Sequence, residues 1–355
     1  MAPLKTGRRA FLAGMIAATL PRASWADVGA PAFLAAAKAG TEYELHGLSA
    51  TGDSLFALPL PARGHAAAAH PTRAEAVAFA RRPGTYALVI TCLTGRISHR
   101  LTPPEGRQFN GHGAYSADGA LLMTSEVIAD GSAGRIGLWE TETYTRVNEW
   151  QTGGIGPHDL KLRPDGRLIV ANGGIQTDPS DRSKLNLDTM RPNLALLSTT
   201  GEIDEIAELP KDLWPNSIRH LALIGNQIAF AMQWEGDRSE DVPQLGLWQP
   251  GQPARLCPTD PIDALTMKGY AGSIASADGL LALTSAPGGA LALFTTDGTP
   301  ITLHRSPDLS GVAAGPGGLV ATDGTGTIWA VNRDGLRPLA RHPVAWDNHL
   351  IALRA

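Results

Sequence analysis

Short apolar segments alternate with tight polar turns along most of this chain, and one phrase recurs. Tyr115-Ser116-Ala117-Asp118-Gly119 leads into the apolar residues 121–124, and Leu162-Arg163-Pro164-Asp165-Gly166 leads into residues 167–170. Ala275-Ser276-Ala277-Asp278-Gly279 leads into residues 280–283 in the same way. A period of two on either side of an Asp-Gly pair predicts two strands joined by a hairpin. A third strand follows in each unit, at 137–139, 195–197 and 246–248, and a fourth is clearest at 146–150. Only residues 32–38, rich in alanine, read as a helical stretch; nothing after residue 40 has a convincing helical period.

Unit starts fall near His65, His112, His158, His220, Gly272, Gly311 and His349, at intervals of 47, 46, 62, 52, 39 and 38 residues. Such spacing suits one four-stranded propeller blade per unit. The last start leaves room for a single strand, while residues 41–48 and 54–60 supply outer strands without an inner one. The expected fold is therefore all-β, a seven-bladed β-propeller closed by pairing of its N- and C-terminal strands. An eight-bladed ring and a β-sandwich are the alternatives.

Residues 1–26 stand apart. Arg8-Arg9 precedes an apolar run over 11–20, and Ser24-Trp25-Ala26 offers a small-residue exit. This reads as an export signal of the twin-arginine type, an ordinary secretory signal being the alternative. The expectation is a periplasmic protein whose residues 27–355 form one domain. No later run of 18 apolar residues exists, so no spanning helix is expected in the mature chain. The 30 basic and 34 acidic residues nearly balance, which argues against a nucleic-acid partner. Two cysteines, Cys92 and Cys257, fall in blades one and four and are expected to be separate buried thiols.

The histidines change the picture. In a propeller every innermost strand starts on the same face beside the channel, and His65, His112, His158, His220 and His349 occupy five such starts. They are expected to surround one cavity and bind a transition metal, iron or copper, through three of the rings or as a bridged cluster. Neutral imidazole suits several metals and does not choose among them. Asp159 and Asp347 are placed to orient the rings from behind. Counted back from the turns, His112 is displaced by one residue relative to His158, which leaves room for one ring to point into a blade. Two plainer readings compete. One is a water-filled channel without an ion. The other is structural, because Gly111-His112 with Trp139-Glu140 resembles the hydrogen-bonding signature of WD repeats. Glu126, Asn172 and Gln233 end second strands and are expected at the same rim, as cofactor contacts. The insertion at 173–193 opens on this face and reads as a lid or a plain surface loop. His46, His70, His99, His304 and His342 fall in outer strands or turns, where solvated or structural roles are expected.

The chain also resembles a bacterial family called domain of unknown function 1513. The resemblance rests on residues 79–85, on Gly111-His112-Gly113, and on Gly156-Pro157-His158-Asp159-Leu160. It rests further on Ala171-Asn172-Gly173-Gly174, on residues 184–192, on Ser217-Ile218-Arg219-His220-Leu221, and on Trp346-Asp347-Asn348-His349-Leu350. One departure is Asp308-Leu309-Ser310-Gly311-Val312, where the resemblance leads one to expect a cysteine before the glycine. The resemblance implies an exported propeller with no settled activity. It also implies genomic neighbours of the imelysin type and a di-haem protein, hence a part in periplasmic iron handling. Three function classes stay open: a metal-binding protein, an enzyme, or an interaction scaffold. The enzyme would be a metal-dependent oxidoreductase or, with less support, a lactonase-like hydrolase using Glu126 and Asn172.

Overall fold

The computed structural model describes residues 22–81 and 84–353; Arg8-Arg9, the apolar run after them, and Arg82 and Pro83 lie outside the described residues. It is a seven-bladed β-propeller, seven antiparallel sheets of four strands each. The innermost strands are Gly64–Ala69, Arg107–Tyr115, Pro157–Leu162, Asn216–Ile224, Ser273–Ala277, Leu309–Gly315 and Ala345–Ala352, opening blades one to seven in that order. Closure follows the expected route. Ala345–Ala352 pairs with Phe33–Ala39, which continues outward into Glu42–Leu48 and Ser54–Leu60. Among the described residues no helix is long and apolar enough to cross a membrane.

Two local expectations need correcting. Residues 32–38 are not helical: Phe33–Ala39 is a strand, paired along its length with Glu42–Leu48. The intrinsic helix preference of alanine is weak, and hydrogen-bonded strands on both sides override it. Conversely, Pro261–Met267 forms a two-turn helix after residue 40. Asp260 caps it, its side chain accepting from the Ile262 N–H at 2.8 Å, and proline sits in its first turn. Seven residues are too few to display a helical period.

The core lies between blades. Seven buried apolar clusters occupy the seven blade-to-blade interfaces. Strand alternation explains this arrangement. In Asn193–Leu197, Leu194 and Leu196 pack toward blade four, whereas Ala195 and Leu197 pack toward blade two. Each such leucine contributes about 1.5–3 kcal/mol by leaving water. Trp25, inside the expected leader, is also buried, packed between blades seven and one with its indole N–H donating to the His70 carbonyl at 2.7 Å.

A shared irregularity positions the site. Regular pairing breaks on six of the seven innermost strands, where extra residues stand out of the ladder. His65 and Ala66 stand opposite one residue, and His158 and Asp159 likewise. Three residues, Asn110 to His112, stand opposite Ser125 alone, and three, Asp347 to His349, stand opposite Ala36. Bulges re-aim side chains. The longer bulge of blade two accounts for the one-residue displacement of His112. Blade five, which brings no histidine, pairs without a break.

Candidate functional site

All five expected histidines meet, and none points away into a blade. His65, His158, His220 and His349 form a closed ring, with successive centroids 5.4, 4.7, 4.8 and 4.7 Å apart. His112 touches every member, at 4.9, 4.8, 5.8 and 4.8 Å. Its Nε2 lies 3.2 Å from Nε2 of His65. Such closeness depends on Gly111, whose φ is +97° and where a Cβ would sit 2.3 Å from the His65 ring. Ser125 holds the bulge by donating to the His112 carbonyl at 3.0 Å and accepting its N–H at 3.2 Å.

Two triplets offer nitrogens within 4.8 Å of one another: His65, His112, His349 and His112, His158, His220. Both contain His112. A tetrahedral ion with bonds of about 2.0–2.1 Å needs ligand atoms roughly 3.4 Å apart, so either triplet closes on an ion only by drawing its rings inward. Two buried ring nitrogens, Nδ1 of His158 and Nε2 of His349, have no hydrogen-bond partner. A buried, unmade hydrogen bond costs about 1–3 kcal/mol, which a metal bond to that lone pair offsets.

Electrostatics keeps the lone pairs available. Burial, reinforced by the rings of His220 and His112, holds His158 well below the ordinary imidazole value. Burial and His112 bring His220 down to about 3, and burial with His112 and His220 lowers His349 as well. These rings are neutral at neutral pH, the form that ligates metals. Asp159 sits behind the cage. Its Oδ1 lies 3.4 Å from His112 Nδ1, and its Oδ2 accepts from the Leu221 N–H at 3.0 Å. Burial alone would raise this carboxyl, but Lys161 and His112 hold it well below the usual carboxylate range. A carboxylate on one imidazole nitrogen fixes the ring so that the other faces an ion. Asp347 is engaged elsewhere, accepting two hydrogen bonds from Arg63 at 2.7 and 3.0 Å.

Of the three rim residues, only Gln233 reaches the site, lining a cavity of about 190 Å³ above His65, His158, His220 and His349. Glu126 is fully buried within blade two, where its Oε1 accepts from Thr124 and Arg146, both at 2.6 Å. Asn172 is equally buried and donates to the Thr152 carbonyl and Asn193 Oδ1, both at 2.8 Å. The WD-type pairing is half present: Trp139 donates to Thr124 Oγ1 at 3.0 Å, while the His112 ring belongs to the cage. Cys92, one residue past its strand, and Cys257 are free, buried thiols. Sequence reasoning missed the cavity's cationic wall. Arg81 and Arg219 lie inside the quoted motifs, and the 173–193 insertion adds Arg182 and Lys184. The available signal was an arginine directly before His220 on a channel-facing strand.

A model of the family "Protein of unknown function (DUF1513)" matches residues 58–353. The chain belongs to that family. No curated protein matches this DUF1513 chain significantly. Solved structures similar to it share its fold at low identity. Hydrazine synthase from Kuenenia stuttgartiensis aligns with a TM-score of 0.61 and 12% identity over 85% of this chain and 90% of that one. The U3-55K structure aligns at 0.57 and 14%, covering 78% and 80%, and a chain of the mitotic checkpoint complex at 0.55 and 10%, covering 79% and 77%. At such identities the likeness concerns the propeller alone.

Proposed function

We propose that this DUF1513 propeller binds one transition-metal ion, iron or copper, in its five-histidine cage. The observation that carries the reading is convergence: five blades each deliver an imidazole to one point, and two of the buried nitrogens there lack any partner. His112, common to both triplets, is the central ligand, and Asp159 orients it. Export to the periplasm by the twin-arginine route, a mature domain over 27–355, and work beside imelysin-type and di-haem proteins in iron handling complete the proposal. A metal-dependent oxidoreductase is the second reading, favoured by the open cavity directly above the cage, where a second molecule can approach.

The test is metal analysis of protein isolated from the periplasmic fraction, followed by titration of the stripped protein with Cu(II), Fe(II) and Zn(II). Parent protein is expected to hold about one equivalent. The His158→Ala/His220→Ala variant is expected to hold none, while keeping the circular dichroism and melting behaviour of the metal-stripped parent. Equal retention by that variant ends the metal reading and leaves the interaction scaffold. Turnover with redox substrates then separates catalysis from binding.

A further inference from the structure

The cavity above the cage is charged far beyond what its framework needs. Four cations, Arg81, Arg182, Lys184 and Arg219, face it, against one carboxylate, Glu235. Lys184 pairs closely with Glu235, and Arg219 reaches the same carboxylate only at 3.7 Å. Arg81 and Arg182 make no ion pair among the described residues. Arg219 decides the matter. Its side chain is 6% exposed, and its Nε is buried without a hydrogen-bond partner. The one carboxylate near this buried guanidinium is long at 3.7 Å and shared with Lys184, so the charge that Arg219 brings to the cavity wall is under-paired, and an anion in the cavity would complete it. The planar fork of arginine matches carboxylate oxygens two at a time.

We propose that this cavity binds a small polycarboxylate anion, held by Arg219 with Arg81, Arg182 and Lys184 around it. A volume of about 190 Å³ has room for roughly six waters, and a single tetrahedral oxyanion would leave several of the cations without a partner. The anion can arrive alone or as the chelator of a metal ion, in which case the metal is delivered onto the rings that floor the cavity. Only this second form rests on the metal reading.

Calorimetry on the metal-stripped parent, at low and at 0.5 M salt, tests the proposal with citrate, inorganic phosphate and ferric citrate as probes. Citrate is expected to bind with one site, more weakly at high salt, and at least tenfold more tightly than phosphate. Arg219→Gln is expected to weaken citrate at least tenfold. Arg182→Gln, which removes an exposed cation and spares the core, is expected to weaken it severalfold. Tighter binding of ferric citrate than of citrate identifies the chelate as the form taken up, and equal binding identifies the free anion. The proposal is overturned if metal-free parent binds no citrate, if phosphate binds as well, or if neither arginine variant changes the affinity. Titration of the same samples with metal alone reads the cage separately. In the parent, absent citrate binding beside intact metal binding removes this proposal only, and citrate binding without metal binding removes only the cage.

Discussion

Two populations of buried histidine occupy this molecule, and they differ in what their nitrogens touch. His46 and His70 are 5% and 4% exposed, matching the 5–6% of His112, His158, His220 and His349. Yet His46 has Ser54 Oγ on Nδ1 and Glu44 Oε2 on Nε2, both at 2.9 Å. His70 Nδ1 accepts the N–H groups of Thr72 and Arg73 at 3.2 and 3.0 Å. His46 ties neighbouring strands of its own blade, and His70 closes a turn of blade one against Gly119 of blade two. In the cage, imidazole faces imidazole and two nitrogens face nothing. Burial therefore does not separate a structural histidine from a ligand. The partner list does.

The comparison breaks first, and by the largest margin, if the cage variants keep their metal. His112→Ala removes the ring common to both triplets and should lower metal affinity by more than the roughly 10–100-fold expected for Asp159→Asn, which removes only an orienting partner. Neither His46→Ala nor His70→Ala should change it, by direct titration. A second margin lies in acid. Burial, then the charge of Arg73, lowers His70 from 6.5 to about 4. Between those values the unfolded chain takes up a proton that the folded ring refuses, so stability is full above pH 6.5 and falls as pH drops toward 4. The contribution lost is up to about 3 kcal/mol. Urea midpoints for parent and His70→Gln at pH 7 and pH 4.5 should show the gap between them narrowing in acid. At pH 7, His70→Ala strands two backbone N–H groups and should destabilise by about 2 kcal/mol. The smallest effect belongs to Glu44→Gln, which weakens one half-exposed hydrogen bond to His46 and should cost below about 1 kcal/mol in the same assay.

Architecture was legible from the chain because its punctuation is local. An Asp-Gly pair needs no tertiary context to turn a strand, and repeated phrases placed the inner strands of blades three and five within a residue or two, while that of blade two begins five residues before its expected start. The convergence of five histidines followed from repeat phase alone. What stayed hidden depends on long-range pairing. Phe33–Ala39 is a strand because Ala345–Ala352 lies beside it, some three hundred residues away. Glu126 and Asn172 lie at or near the ends of second strands, yet turn toward Arg146 and Asn193 inside their blades. Strand position fixes depth along the channel, whereas side-chain direction depends on bulges and neighbours that the phase does not encode. The cationic wall was hidden for a similar reason, since its four members come from blades one, three and four and form a group only in space.

Ring closure through Ala345–Ala352 has a further consequence for how the molecule assembles. The final blade borrows three strands from one end of the fold and one from the other, and that last strand carries His349. A chain with six finished blades displays four of the five imidazoles around an open gap. The fifth arrives only when the circle shuts. An ion gripped by rings from opposite ends of the chain then acts as a keystone: whatever free energy it gains by binding the closed form is withheld from the open one, and opposes the blades' parting in proportion to the logarithm of its concentration. Only the His65, His112, His349 triplet spans the seam, so an ion held there would couple loading to closure, whereas one held by His112, His158 and His220 would not.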